Sequence, residues 1–128
     1  MTEPRWLKKE GVLAFHQEML AEHGGASGIR DEGMLDSALG RPLNKWHYEK
    51  AGTLALAAAY AFGISQNHPF IDGNKRTAQV VYRTFLLSNG QNLCASQDDK
   101  YSALIGLAEG TLNEEEFAEW IRKNTQPA

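Results

Sequence analysis

The stretch His68-Pro69-Phe70-Ile71-Asp72-Gly73-Asn74-Lys75-Arg76-Thr77 packs an imidazole, a carboxylate, a side-chain amide and two cations into consecutive positions. Pro69 disfavours helix at the residue before it and Gly73 permits unusual backbone angles, so residues 67 to 73 read as a loop. A helix follows from Asn74, with Ala78, Val81, Phe85 and Leu86 on one face and a stop at Asn89-Gly90. The start of a helix presents unpaired N–H groups and the positive end of the dipole, which together bind anionic oxygens. Lys75 and Arg76 stand in that first turn, where they oppose the dipole, and an external phosphate would offset the cost. On its own such a pair is equally a solvated first turn; with His68, Asp72 and Gly73 beside it, a site is the better reading. Asp72 offers a hard oxygen to magnesium, which typically takes one or two carboxylates and completes its shell with substrate phosphates. It can also cap the following helix, and the two roles are compatible. His68 has the acidity of a general base for a hydroxyl near neutral pH. Phe70 reads as the anchor of the loop, and His16, His23 and His47 as structural histidines.

The elements around this stretch are helical. Val12, Phe15, Met19 and Leu20 recur at helical spacing and the helix stops at Gly24-Gly25. Asp31 caps a short helix through Met34, Leu35, Ala38 and Leu39, which Gly40 and Arg41-Pro42 are expected to close. Pro42 to Lys50, with Trp46, His47 and Tyr48 off helical spacing, is expected to be an irregular or β-like excursion. Residues 51 to 66 are apolar on nearly all sides and predict a central helix wrapped by others. Ser96 or Asp98 caps a helix through Tyr101, Leu104, Ile105 and Ala108. Asn113 and Glu116 form a reciprocal cap before Phe117, Trp120 and Ile121. The expectation is an all-α bundle of about six helices, one domain over residues 1–128.

Composition narrows the function. Hydrophobic residues at 42% and charged ones at 23% describe a chain that folds rather than a disordered one. A formal charge of -3 leaves no basic excess for a nucleic-acid backbone, so no direct nucleic-acid partner is expected. The most apolar run, Leu54 to Ile64, is too short to span a bilayer. No signal-peptide pattern opens the chain and Cys94 has no cysteine to pair with, which point to the cytoplasm. Sequences for zinc proteases, the common phosphate loop, serine-nucleophile elbows and dinucleotide folds are missing.

From His68 to Arg76 the sequence resembles the Fic family signature H-P-F-x-D/E-G-N-G-R-x-x-R, matching at His68, Pro69, Phe70, Asp72, Gly73, Asn74 and Arg76. It departs where Lys75 replaces the last glycine and Gln79 the final arginine. Both departures, with Asn74-Lys75-Arg76-Thr77-Ala78, Gly28-Ile29-Arg30-Asp31-Glu32-Gly33 and Glu115-Glu116-Phe117-Ala118-Glu119-Trp120-Ile121, are similar to the death-on-curing (Doc) branch. The resemblance implies a compact Fic-fold bundle with a flap beside the site, for which Pro42 to Lys50 is the candidate by position. It implies ATP and Mg²⁺, with His68, Lys75 and Arg76 catalytic, Phe70, Gly73, Asn74, Lys75 and Arg76 on the nucleotide, and Asp72 on the metal. Doc proteins are toxins paired with an antitoxin (Phd-like) and phosphorylate a threonine of translation elongation factor Tu, whereas most Fic proteins transfer AMP; both activities, and an idle partner-binding module, stay open here. Lys75 filling the outer-phosphate cradle and Gln79 withholding charge favour γ-phosphate transfer. The S/T-x-x-x-E-G/N string of self-inhibited Fic proteins does not occur: four residues before Glu32 and Glu109 stand Gly28 and Ile105. Inhibition is therefore expected from another chain.

Overall fold

The computed structural model describes residues 2–128, which form six helices and one short antiparallel ribbon. In order these are α1 (Lys9–His23), α2 (Glu32–Glu49), α3 (Thr53–Asn67), α4 (Asn74–Ser88), β1 (Gln91–Leu93), α5 (Gln97–Glu109), α6 (Glu114–Lys123) and β2 (Thr125–Pro127). The expected all-α bundle is what the chain builds. α3 is its axis: with residues from Leu56 to Ile64 buried nearly without interruption, it packs against α2, α4, α5 and α6. Such an all-round apolar helix stays in place only if other helices cover every face. Tyr60 and Phe85, with ring centroids 4.9 Å apart, and Tyr82 edge-on to Phe117 at 5.2 Å join α3, α4 and α6 into one core.

Helix ends follow the sequence where caps are present. Asp31 accepts from Met34 N at 3.0 Å, Ser96 accepts from Asp99 N at 3.1 Å, and Asn113 with Glu116 completes the reciprocal cap. The ribbon was not expected. Its strands pair Leu93 with Thr125 and Gln91 with Pro127, too few residues for alternation to register in a sequence.

The expected excursion at Pro42–Lys50 is not there: α2 continues through Gly40 and Pro42 to Glu49. The sequence suggests a stop because proline removes one N–H from the helical ladder, the one that would bond the Ala38 carbonyl. Tertiary contacts outweigh that loss. Pro42 and Trp46 are buried along with Leu35 and Ala38, giving α2 a single apolar stripe. Arg41 and Lys45 both bond the buried carboxylate of Glu114, and Arg41 also lies over the Phe62 ring, 4.5 Å from its centre. These contacts tie the second half of α2 to α3 and α6.

The close crossing of α2 and α3 rests on Gly63. A Cβ there would lie 2.9 Å from the Ala38 carbonyl oxygen and 3.0 Å from its Cα. Alanine would gain about 1 kcal/mol of helix propensity, but both obstructing atoms are backbone and overpacking typically costs about 1–3 kcal/mol. Gly63→Ala should therefore lower the melting temperature in thermal denaturation, against the direction that propensity predicts.

Candidate active site

α3 ends at Asn67, and the chain turns into the loop to α4 at His68. This residue closes α3 in the left-handed conformation (φ 47°, ψ 55°), its N–H bonding Ile64 O at 3.2 Å. A non-glycine residue held there costs on the order of 1 kcal/mol or more and needs surrounding contacts to keep it. Arg30 supplies them: Nε donates to His68 O and Nη2 to Asn67 O, each at 2.7 Å. The guanidinium thus covers the last carbonyls of α3, at the negative end of its dipole.

The rest of the loop lies against the segment between α1 and α2. Pro69 O accepts from Arg30 N at 2.7 Å and Asp31 N at 3.1 Å, and Ile71 N donates to Gly28 O at 3.1 Å. This extended strip, residues 24–31, is the segment that borders the motif, in the position expected of Pro42–Lys50. Two residues lock the loop from inside. Asn74 uses its whole amide on one neighbour, accepting from Phe70 N and donating to Phe70 O, both at 2.9 Å. Phe70 is 1% exposed and stacks on His16, ring centroids 3.8 Å apart. The ring of Phe70 therefore anchors the loop from beneath. The Asn74 side chain is likewise committed, leaving its backbone N–H for an anion.

Asp72 is exposed, with Oδ1 accepting from Gly73 N at 2.9 Å and Oδ2 from Ala26 N at 3.3 Å. It does not cap α4; that position belongs to Gly73, left-handed at φ 77°, and no side chain caps the helix. The first bond of α4 is Thr77 N to Gly73 O at 3.0 Å, so the N–H groups of Asn74, Lys75 and Arg76 precede it and have no helical partner. A carboxylate has about four lone-pair sites, so Asp72 keeps acceptor capacity for a hard cation. Among the described residues no cluster of three His, Cys, Asp or Glu side chains can cage a metal. The donor set thus fits a cation of magnesium type, which draws on phosphate and water for the rest of its shell.

His68, Ile71, Asp72, Gly73, Asn74, Lys75 and Arg76 line a recess of about 370 Å³. Lys75, Arg76 and Tyr101 also border a second one of about 620 Å³ between α1, α4 and α5, within the size range of small-molecule sites. Two of its residues carried no signal. Arg83 lies one turn beyond Gln79, and its cation, after burial, lowers the Lys100 ammonium below the usual lysine range. Helical spacing groups Tyr101 with Leu104, but the face α5 buries is Lys100, Ala103, Leu104 and Leu107, which leaves Tyr101 at 68% exposure at the junction of both recesses. Arg30 and His16 are the other unforeseen members, each acting on main-chain carbonyls.

The Fic/DOC family matches residues 6–86, a span that holds α1 to α3, the whole loop and α4 as far as Leu86. This chain belongs to the Fic/DOC family. It is 28% identical over 120 residues to "Protein kinase doc" of Escherichia phage P1, covering 93% of this chain and 94% of that protein. It is 38% identical over 116 residues to "Toxin Doc" of Mycolicibacterium smegmatis (strain ATCC 700084 / mc(2)155), covering 89% and 81%. The Doc resemblance read from Lys75 and the N-K-R-T-A stretch is thus shown across most of the chain. In this Fic/DOC protein no helix of the described residues is long and apolar enough to cross a membrane.

Arg30 makes two charge-assisted bonds in an exposed setting, so Arg30→Ala should cost about 1–2 kcal/mol in urea unfolding. It should also loosen His68, seen as faster amide exchange at His68, Phe70 and Ile71.

Proposed function

We propose that this Fic/DOC protein is a toxin-type transferase that moves the γ-phosphate of ATP, with Mg²⁺, to a serine or threonine hydroxyl of a protein. The carrying observation is the convergence of His68, Asp72 and the unpaired N–H groups of Asn74, Lys75 and Arg76 on one recess. His68 accepts the proton of the target hydroxyl as its oxygen bonds to the γ-phosphorus. The bond from that phosphorus to the β–γ bridging oxygen breaks, and ADP leaves with the electron pair. Its growing charge meets the first-turn N–H groups, Lys75 and Arg76, the kind of preorganised stabilisation on which phosphoryl transfer mainly depends. Magnesium bound through Asp72 would neutralise charge on the phosphate oxygens. A relative named as a protein kinase supports the transferred group. Elongation factor Tu is the first target to try, and an antitoxin of Phd type the expected inhibitor in trans, since a relative is named a toxin.

AMP transfer is the competing reading, and Arg83 is what favours it. Gln79 withholds the family's arginine, yet Arg83 brings a cation into the larger recess one turn further along α4. An idle binding module is less well supported, because no structural bond engages the His68 imidazole and the Asp72 carboxylate, with one backbone N–H on each oxygen, keeps lone pairs for a cation.

Three outcomes are expected. Purified His68→Ala should keep its melting temperature and lose transfer from ATP by about 10²- to 10⁴-fold; near wild-type transfer would remove His68 from the chemistry. Intact-mass measurement of a modified target should show added phosphate, and added AMP would refute the kinase reading. Lys75→Gly combined with Gln79→Arg should reduce phosphorylation. Labelling of no protein in a bacterial lysate by wild type with Mg²⁺ and ATP would favour the module, and harmless expression of an active protein alone would count against an obligatory antitoxin.

A further inference from the structure

Asp72 is gripped at its main chain as well as at its carboxylate. On the core side of the loop His16 Nε2 lies 2.8 Å from Asp72 O, with the imidazole 2% exposed and stacked within 10° of parallel on Phe70. A carbonyl oxygen only accepts, so Nε2 carries a proton and donates it in this bond. The other restraints on Asp72 are softer: Oδ1 meets the N–H of the very next residue and Oδ2 meets Ala26 N at 3.3 Å. Only the His16 bond comes from a regular helix, α1, whose Val12 one turn earlier is sealed in the core. The niche is also shaped for the carboxylate. A Cβ at Gly25 would stand 2.9 Å from Asp72 Oδ2, and one at Gly73 3.6 Å from the His16 ring.

We infer that His16 is a positioning residue for Asp72: wedged on Phe70, it holds the Asp72 carbonyl and thereby sets the direction in which the carboxylate meets a divalent cation. This rests on the reading of Asp72 as the metal-bearing carboxylate. A buried imidazole must be hydrogen-bonded to be tolerated at all, and an apolar side chain would fill the same space against Phe70 at less cost. The bond to Asp72 O is what the histidine adds. Groups that orient a metal ligand from behind commonly change metal affinity by about 10- to 100-fold when removed.

The test separates packing from orientation. His16→Phe keeps the stack and loses the donor, whereas His16→Gln keeps an N–H donor near the position of Nε2. ATP binding is measured by calorimetry with and without Mg²⁺, alongside melting curves. His16→Phe should lower the ratio of magnesium-bound to metal-free affinity by about tenfold, with metal-free binding unchanged and His16→Gln close to wild type. An unchanged ratio in His16→Phe, or equal losses in both variants, overturns the inference alone provided that Asp72→Asn does lower the ratio. An unchanged ratio in Asp72→Asn overturns the metal reading and the inference with it. Nitrogen-15 NMR of the wild-type ring needs no variant: it should show the proton on Nε2, and a proton on Nδ1 instead would also overturn the inference.

Discussion

The backbone of Phe70 is bonded in both directions to the side-chain amide of Asn74, which thus does for one residue what a neighbouring strand does in a sheet. Everything at the site follows from that closure. With Phe70 sealed beneath the loop and its polar groups paired, the chain on either side is free to turn outward, His68 before it and Asp72 after it. The accounting of backbone groups continues along the loop: His68 O goes to Arg30, Pro69 O to Arg30 and Asp31, Ile71 N to Gly28, Asp72 O to His16 and Gly73 O to Thr77. Buried or half-buried backbone that is not in a helix has to find partners of this kind. The first turn of α4 is where pairing stops, and there an anion can enter.

Two helix ends of opposite polarity face one another across this loop. α3 ends with its negative pole beside His68, and α4 begins with its positive pole at Gly73. Left bare, the carbonyls of α3 would repel any anion that the N–H groups of α4 attract. Arg30 occupies those carbonyls, so the field over the recess is governed by α4, Lys75 and Arg76. The left-handed strain at His68 is held by the same guanidinium, which makes one exposed side chain responsible for both the geometry and the sign of the field.

The rest of the bundle sets the distance between the site's parts. Gly63 allows α2 and α3 to cross with backbone in contact at Ala38, and Glu114 gathers Arg41 and Lys45 so that α2 keeps its helical course past Pro42. That course leaves residues 24–31, rather than the second half of α2, to border the motif. α1 then delivers His16 to the back of Asp72 and the glycines at its end to the front.

The placement of the candidate site was legible in the sequence because its groups are contiguous: a loop that breaks before Pro69 and a helix that begins at Asn74 bring His68, Asp72, Lys75 and Arg76 to one junction by local geometry alone. Caps at Asp31, Ser96 and Asn113, and the all-round apolar α3, were equally local and were read for the same reason. Family membership, too, was carried by the seven motif positions, and the comparisons extend it over most of the chain. Arg30, His16, Arg83 and Tyr101 were beyond reach, since each lies on another element or another turn and earns its place only when helices pack. The course of α2 was misread because proline's lost hydrogen bond is visible in the sequence whereas the ion pairs to Glu114, some seventy residues on, are not. Local propensity decides where a helix is easiest to end; burial and long-range pairing decide where it does end, because at Pro42 they outweigh one missing hydrogen bond.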